Sequence, residues 1–361
     1  MKWTWLNKGQ PLSDHLRDRR QNNFNLIRLA AALLVIMSHC VGNDDPIFIM
    51  SSGHLRGSTL GIRIFFFLSG LLVSHSHDQS PSRLNFVWKR VLRLYPAAIV
   101  VVVLSACVMG PLITTLDLSA YFRNPQFYQY LRTCLLVRVY YHLPGVFGQS
   151  PLGPGVNSSL WTLSLELKLY AGVLAAGYIK NKKLYITLLV ILVILLVTAG
   201  LYQHAVKLQG TIIFGEHFKL FPYSDLSAFF LLGILCDRCS RHIIISNRWL
   251  LLILPACFLL VTVPFFCKTG SLLLLPPVLL YLAVSRHPWI TKLTPRPDLS
   301  YGMYIFAYPI EQLEINYLHI HSPTAVFLLN IVFTLPFAMG SWYWVESKAL
   351  QWKYKVGQKH V

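Results

Sequence analysis

The sequence is poor in charge. Asp, Glu, Lys and Arg make up 13% of its 361 residues, and only 14 are acidic. A water-covered globular domain carries roughly 25%, so a soluble fold is excluded. It also lacks the evenly spaced cysteines of a secreted disulfide framework: the seven (Cys40, Cys107, Cys134, Cys236, Cys239, Cys257, Cys267) are scattered through or beside apolar runs. Cys236 and Cys239 form one C-x-x-C with no second pair and no histidines at metal-ligand spacing, so they read as small apolar fillers and no metal site is expected. No apolar h-region precedes Phe24, where the sequence is polar and basic (Lys2, Lys8, Arg17, Arg19, Arg20), and no cleaved signal peptide is expected. The sequence shows no internal repeat and no low-complexity tract, and no appended soluble domain is expected.

What is present is apolar. Hydrophobic residues make up 55% of the chain, in runs near the ~20 residues needed to span a bilayer. The runs fall at about 24–42, 58–76, 95–116, 160–179, 183–202, 222–238, 247–265, 269–286, 298–318 and 322–346. The fold class expected is therefore all-α, a polytopic transmembrane helical bundle of about ten spans with both termini cytoplasmic. Its parts are a cytoplasmic segment 1–23, one membrane domain 24–346 and a basic cytoplasmic tail 347–361. With that orientation 22 of the 32 Lys and Arg lie inside, 7 outside, and Arg28, Arg63 and Lys168 within spans, as the positive-inside rule requires. The net charge of +18 thus punctuates helices and meets anionic lipid, and a nucleic-acid partner is set aside. The long outer connection 117–159, rich in aromatics, Gly and Pro, is of a length that is usually functional or disordered. Its segment 121–141 either lies on the membrane surface or re-enters it.

Two polar groups inside the first run organise the chain. Arg28 and His39 are eleven residues apart, within ~20° of the same helical face and ~16 Å apart along the axis. Ionisable groups in hydrocarbon cost ~2.5–3.5 kcal/mol each and normally mark a site, although snorkelling towards headgroups is the plainer account. With the orientation above, Arg63 of Gly61-Ile-Arg63-Ile-Phe-Phe-Phe-Leu-Ser69-Gly70 and Glu166 of Asn157-Ser-Ser-Leu-Trp161-Thr-Leu-Ser164-Leu-Glu166 reach the outer level of His39. A carboxylate, an arginine and a histidine converging there would neutralise one another and leave the imidazole oriented for proton transfer. A plain interhelical ion pair is the competing reading. On the inner side stand Lys89-Arg90-Val-Leu-Arg93-Leu-Tyr95-Pro96. Arg90 and Arg93 are neighbours on a helix and their forks suit phosphate oxygens, while a positive-inside anchor explains the charge equally well.

Five motifs in order carry a resemblance over nearly the whole chain, from Phe24 to Glu346: Arg28 with His39, Gly61 to Leu72, Arg90 to Pro96, Asn157 to Glu166, and Ser300 to Ile305. The sequence resembles the acyltransferase-3 family of integral-membrane acyltransferases, whose members include O-acetyltransferases of bacterial surface polysaccharides. The resemblance implies an enzyme of the bacterial inner membrane. Such an enzyme moves an acyl group, acetyl above all, from cytoplasmic acetyl-CoA (acyl-CoA) to a hydroxyl of a cell-surface or lipid-linked glycan. His39 would then be general base, Glu166 its orienting carboxylate, Arg63 the stabiliser of oxyanion charge, and Arg28, Lys89, Arg90 and Arg93 the holders of CoA phosphates; an acyl-His intermediate is a variant. Two departures stand out. Ala307 sits where members commonly carry a histidine, with Tyr308 beside it, and Leu167-Lys168 replaces a common Glu-Gln. The esterase-like domain that some members append is not expected here. A transporter or flippase using the same charges is the alternative from another class, and a non-catalytic scaffold is a third. Homo-oligomerisation is left open.

Overall fold

The computed structural model of the protein describes residues 9–17, 22–206, 211–213, 216–218, 220–267, 270–285, 297–318, 320 and 322–355. Much of the expected inner-side basic sequence (1–8, 18–21, 286–296 and 356–361) lies outside these residues. The protein is mostly helical. Helices fall on all ten apolar runs: α1 (Phe24–Val41), α2 (Gly57–Asp78), α3 (Arg83–Leu104), α4 (Trp161–Ala176), α5 (Lys182–Val206), α6 (Leu220–Arg238), α7 (Leu250–Thr262), α8 (Ser271–Val284), α9 (Ser300–Tyr317) and α10 (Pro323–Gly340). Five helical stretches among the described residues are long and apolar enough to cross a membrane, Phe24–Asp44, Gly57–Asp78, Arg83–Ile113, Lys182–Ala199 and Pro323–Lys353. The other five helices are shorter or more polar. Among the described residues strand is confined to two short pairings, Gln10–Pro11 with Ile244–Ile245 and Thr211–Ile213 with Glu216–Phe218.

The chain divides into two compact units. The first comprises Met1–Ala31, Asp45–Gln79 and Gly172–Arg296, and its centre is the pairing of α2 with α6. Two glycines let these helices touch backbone to backbone. A Cβ on Gly70 would stand 1.9 Å from the Phe230 carbonyl oxygen, and one on Gly233 would stand 2.2 Å from that of Phe67. Polar pairs continue the seam below them. Ser74 Oγ donates to Asp237 at 2.6 Å, His75 Nδ1 lies 3.2 Å from the same carboxylate, and Arg238 donates to Asp78. Partner numbers rise together along both helices, so α2 and α6 run parallel. At the end of α8, where backbone carbonyls lack helical partners, the buried Asn23 amide donates to Leu282 and Ser285 at 2.8 and 2.7 Å.

The second unit comprises Ala32–Asp44, Ser80–Ala171 and Pro297–Val361. Two helices here contain π turns. Beyond α3, the Gly110 N–H bonds to Ser105 instead of to Ala106, which leaves the Ala106 carbonyl to accept from the buried Tyr121 hydroxyl at 2.7 Å. Gly110 is required at that crossing, since a Cβ would lie 2.0 Å from the same hydroxyl. The connection that follows is ordered throughout. It carries helices Leu118–Arg123 and Pro125–Leu131, buries Tyr121, Phe127 and Tyr130 and exposes Tyr128, Leu135 and Val137. Its last part is drawn inward against α9, where the Asn157 amide donates to the Ile305 carbonyl at 2.8 Å. The second π turn, Ser341–Glu346, follows α10.

The glycine seam makes a direct prediction. Gly233→Ala forces α2 and α6 apart, and overpacking of this kind costs about 1–3 kcal/mol, read as a lower unfolding temperature of the purified protein in detergent. Gly172→Ala, whose Cβ meets nothing within 4 Å, leaves that temperature unchanged or slightly raised.

Candidate active site

In the second unit the polar side chains gather at two levels. The deeper one is built on α3, whose first turn is capped by Ser82 accepting from the Asn85 N–H. Arg93 reaches two carboxylates, Asp298 Oδ2 at 2.6 Å and Glu346 Oε2 at 3.7 Å. Both acids are held in turn: Ser300 Oγ donates to Asp298 at 2.5 Å and Ser341 Oγ to Glu346 at 2.8 Å. The π turn Ser341–Glu346 is what spans the reach between that serine and that glutamate. Tyr301 donates to the Leu94 carbonyl at 2.6 Å, and the Arg93 guanidinium lies 5.6 Å from the Tyr301 ring centre. One turn earlier on α3, Arg90 packs 5.7 Å from the centre of Tyr170 and 5.8 Å from that of Phe86. Lys89 Nζ donates to Ser80 Oγ at 3.1 Å.

Glu166 belongs to this deeper level. It accepts from the Tyr170 hydroxyl at 2.5 Å and is within electrostatic reach of Arg90, Tyr301 and Tyr304. The expectation had placed it level with His39, assuming that α4 starts at the outer edge of the bundle. Instead Asn157 meets Ile305, and Thr162 Oγ1 shares a 2.8 Å hydrogen bond with the Tyr304 hydroxyl, so α4 begins halfway down α9. One further turn carries Glu166 to the level of Tyr301, about 10 Å along α9 from Tyr308.

The other level holds His39. It is exposed in the last turn of α1, and the edge of its ring meets Tyr308 at 5.8 Å between centroids. The next residue, Cys40, is buried and within electrostatic reach of Glu311 and Glu314 on α9. Gln312 on the same helix pins the inward-drawn connection, donating to Gly153 and Gly155 carbonyls at 2.9 and 2.8 Å and accepting from Ser150 Oγ at 2.6 Å. Glu311 and Glu314, only 2% and 1% exposed, were missed in reading the sequence. Two acids three residues apart in an apolar run, in a chain with so few acids, are the signal that would have found them.

The other expected residues lie in the first unit. Arg63, 2% exposed, commits its fork to Asp225, with Nε at 2.8 Å from Oδ2 and Nη2 at 3.1 Å from Oδ1, while Nη1 donates to the Cys267 carbonyl at 2.8 Å. These bonds tie α2, α6 and Pro264–Cys267 together. The structure thus supplies Arg63 with a carboxylate other than the expected Glu166, because the parallel register of α2 and α6 brings Asp225 beside it. Arg28 is half-buried in the second turn of α1. Among the described residues no group of three or more His, Cys, Asp or Glu could hold a metal ion.

Comparison with known proteins adds a family. The acyltransferase domain family matches residues 21–343. The chain is 27% identical over 341 residues to the O-acetyl transferase of Shigella phage Sf6, a match that covers 92% of this chain and 96% of that protein. It is 36% identical over 172 residues to Nodulation protein 10 of Rhizobium leguminosarum bv. viciae, covering 44% and 45% respectively. No solved structure matches the chain.

The Arg63 arrangement makes its own prediction. Asp225→Ala leaves a buried guanidinium uncompensated, a loss of about 3–5 kcal/mol, and should deplete the protein from the membrane. The pair of changes Arg63→Met with Asp225→Leu removes both charges and should restore much of the level, measured by immunoblot of membrane fractions.

Proposed function

We propose, because this chain belongs to the acyltransferase-3 family, that it is a membrane O-acyltransferase that moves an acetyl group from acetyl-CoA to a hydroxyl of a cell-surface or lipid-linked glycan. The observation that carries the reading is the family match across residues 21–343, which includes an exposed imidazole, His39, set edge-on to Tyr308. In this scheme a ring nitrogen of His39 takes the proton of the acceptor hydroxyl as its oxygen attacks the thioester carbonyl. The tetrahedral intermediate then collapses with cleavage of the C–S bond, and the imidazolium returns the proton to the departing thiolate. An ester and a free CoA thiol result.

Donor phosphates are assigned to Arg90 and Lys89 at the entry of α3. Arg93 is removed from that set, because Asp298 and Glu346 already meet its charge, and it serves to hold α3 against α9 and the end of α10. Glu166, bonded to Tyr170, fixes the ring against which Arg90 packs and so positions that arginine. The proposed topology is ten crossings with both termini in the cytoplasm of a bacterial inner membrane. The parallel course of α2 and α6 supports it, since three intervening crossings, α3 to α5, return the chain to the same direction.

His39→Ala should abolish acyl transfer by purified protein while its membrane level and its acetyl-CoA binding stay normal. Arg90→Ala should raise the apparent KM for acetyl-CoA about tenfold or more with kcat nearly kept, since binding common to ground and transition states is removed, and Arg90→Lys should recover only part because a point charge lacks the fork. Arg93→Ala should instead lower the unfolding temperature. Retained donor KM in Arg90→Ala would return Arg90 to a plain topology anchor. For the topology, Gln149→Cys and Lys182→Cys, both at exposed positions, are placed singly in a cysteine-free background. An impermeant thiol reagent should label the first from outside and not the second, and labelling of the second overturns the orientation.

A further inference from the structure

Two amide side chains, Gln312 on α9 and Asn330 on α10, are saturated. Gln312 makes both of its N–H bonds to the Gly153 and Gly155 carbonyls, and its oxygen accepts from Ser150 Oγ and from Asn316 at 3.1 Å. Asn330 donates to the Ala307 carbonyl at 3.0 Å and to Glu314 Oε2 at 3.2 Å, and its own oxygen accepts from Thr334 at 3.2 Å. Against this background two oxygens stand out. Glu311 Oε1 and Glu314 Oε1 are buried with no hydrogen-bond partner among the described residues, although their side chains are 2% and 1% exposed. A carboxyl oxygen taken out of water without a donor is expensive, so each of these oxygens is set to accept a hydrogen bond.

Position says which donor. Glu311 and Glu314 are three apart on α9, hence on one face, and Glu311 is likewise three residues beyond Tyr308, whose ring touches His39. Both carboxyl groups act electrostatically on Cys40, the residue after His39. We infer that Glu311 and Glu314 form the acceptor subsite: their open oxygens accept hydrogen bonds from hydroxyls of a polyhydroxylated substrate, a sugar, that flank the hydroxyl presented to His39. The inference rests on the O-acyltransferase reading above and names how that acceptor is held. Two carboxyl oxygens at fixed spacing select neighbouring hydroxyls and reject an acceptor in which one of them is missing, because a buried acceptor would then stay unpaired.

The test uses full-length protein in detergent, radiolabelled acetyl-CoA, and alkali-de-esterified surface polysaccharide from cells that make this protein. Transfer by the wild type checks the function itself, and its absence removes function and inference together. With wild-type transfer established, Glu311→Gln should raise the KM for polysaccharide at least tenfold while kcat at saturation and the KM for acetyl-CoA change less than about twofold. Glu314→Gln should do the same more weakly, since Asn330 already meets one of its oxygens. If Glu311→Gln fails to accumulate, Glu311→Asp, which keeps the carboxyl group and retracts it by one methylene, must show the same selective rise. An unchanged polysaccharide KM, or a fall in kcat with that KM unchanged, overturns the subsite and leaves the two glutamates as supports of α9.

Discussion

A guanidinium taken out of water must find its countercharge within the chain, and much of this structure depends on how that is arranged. Arg63 meets both oxygens of Asp225, and Arg93 stands between Asp298 and Glu346. Each pairing joins segments more than 150 residues apart in a chain with only 14 acidic residues, so three of those acids are used to hold two arginines. Removing one partner of such a pair costs several times what a solvent-exposed ion pair contributes. The helices are thereby held in one register, and the glycine contacts at Gly70 and Gly233 allow no other spacing between α2 and α6.

The second unit uses irregular backbone for what regular helix cannot do. A π turn frees a carbonyl for Tyr121, another spans the reach from Ser341 to Glu346, and the end of the connection 117–159 runs along α9 so that α4 starts alongside Tyr304. π turns inside long helices tend to accompany function. The result is two polar levels about 10 Å apart, one rich in arginine and tyrosine, the other carrying the histidine. A reaction that joins a polyanionic donor to a hydroxylated acceptor calls for such a division, because phosphates require fixed positive charge whereas the transfer step requires a base that can gain and lose a proton.

The glutamates of α9 belong to the same logic in reverse. Where Arg63 and Arg93 meet carboxylates of the protein, Glu311 and Glu314 each keep one oxygen that it does not satisfy. Burial of an unmet acceptor is tolerated when a ligand supplies the donor, which distinguishes these residues from Asp225 and Asp298, whose oxygens are met by Arg63, Arg93 and Ser300.

By itself the sequence determined the membrane class, the position of the helices, the family and the pairing of Arg28 with His39 on one helix. All of these follow from local quantities: length of apolar run, spacing along one helix, and order of motifs. It did not determine the depth of Glu166, the partners of Arg63 and Arg93, or the part played by α9. Depth depends on where α4 begins relative to α9, which Asn157 and Thr162 set through bonds to Ile305 and Tyr304. Partners depend on the relative register of helices far apart in the chain. A residue's neighbours within its own helix are fixed by 3.6 residues per turn, but its neighbours across helices are chosen by packing and charge pairing over long range, and only the tertiary structure decides those.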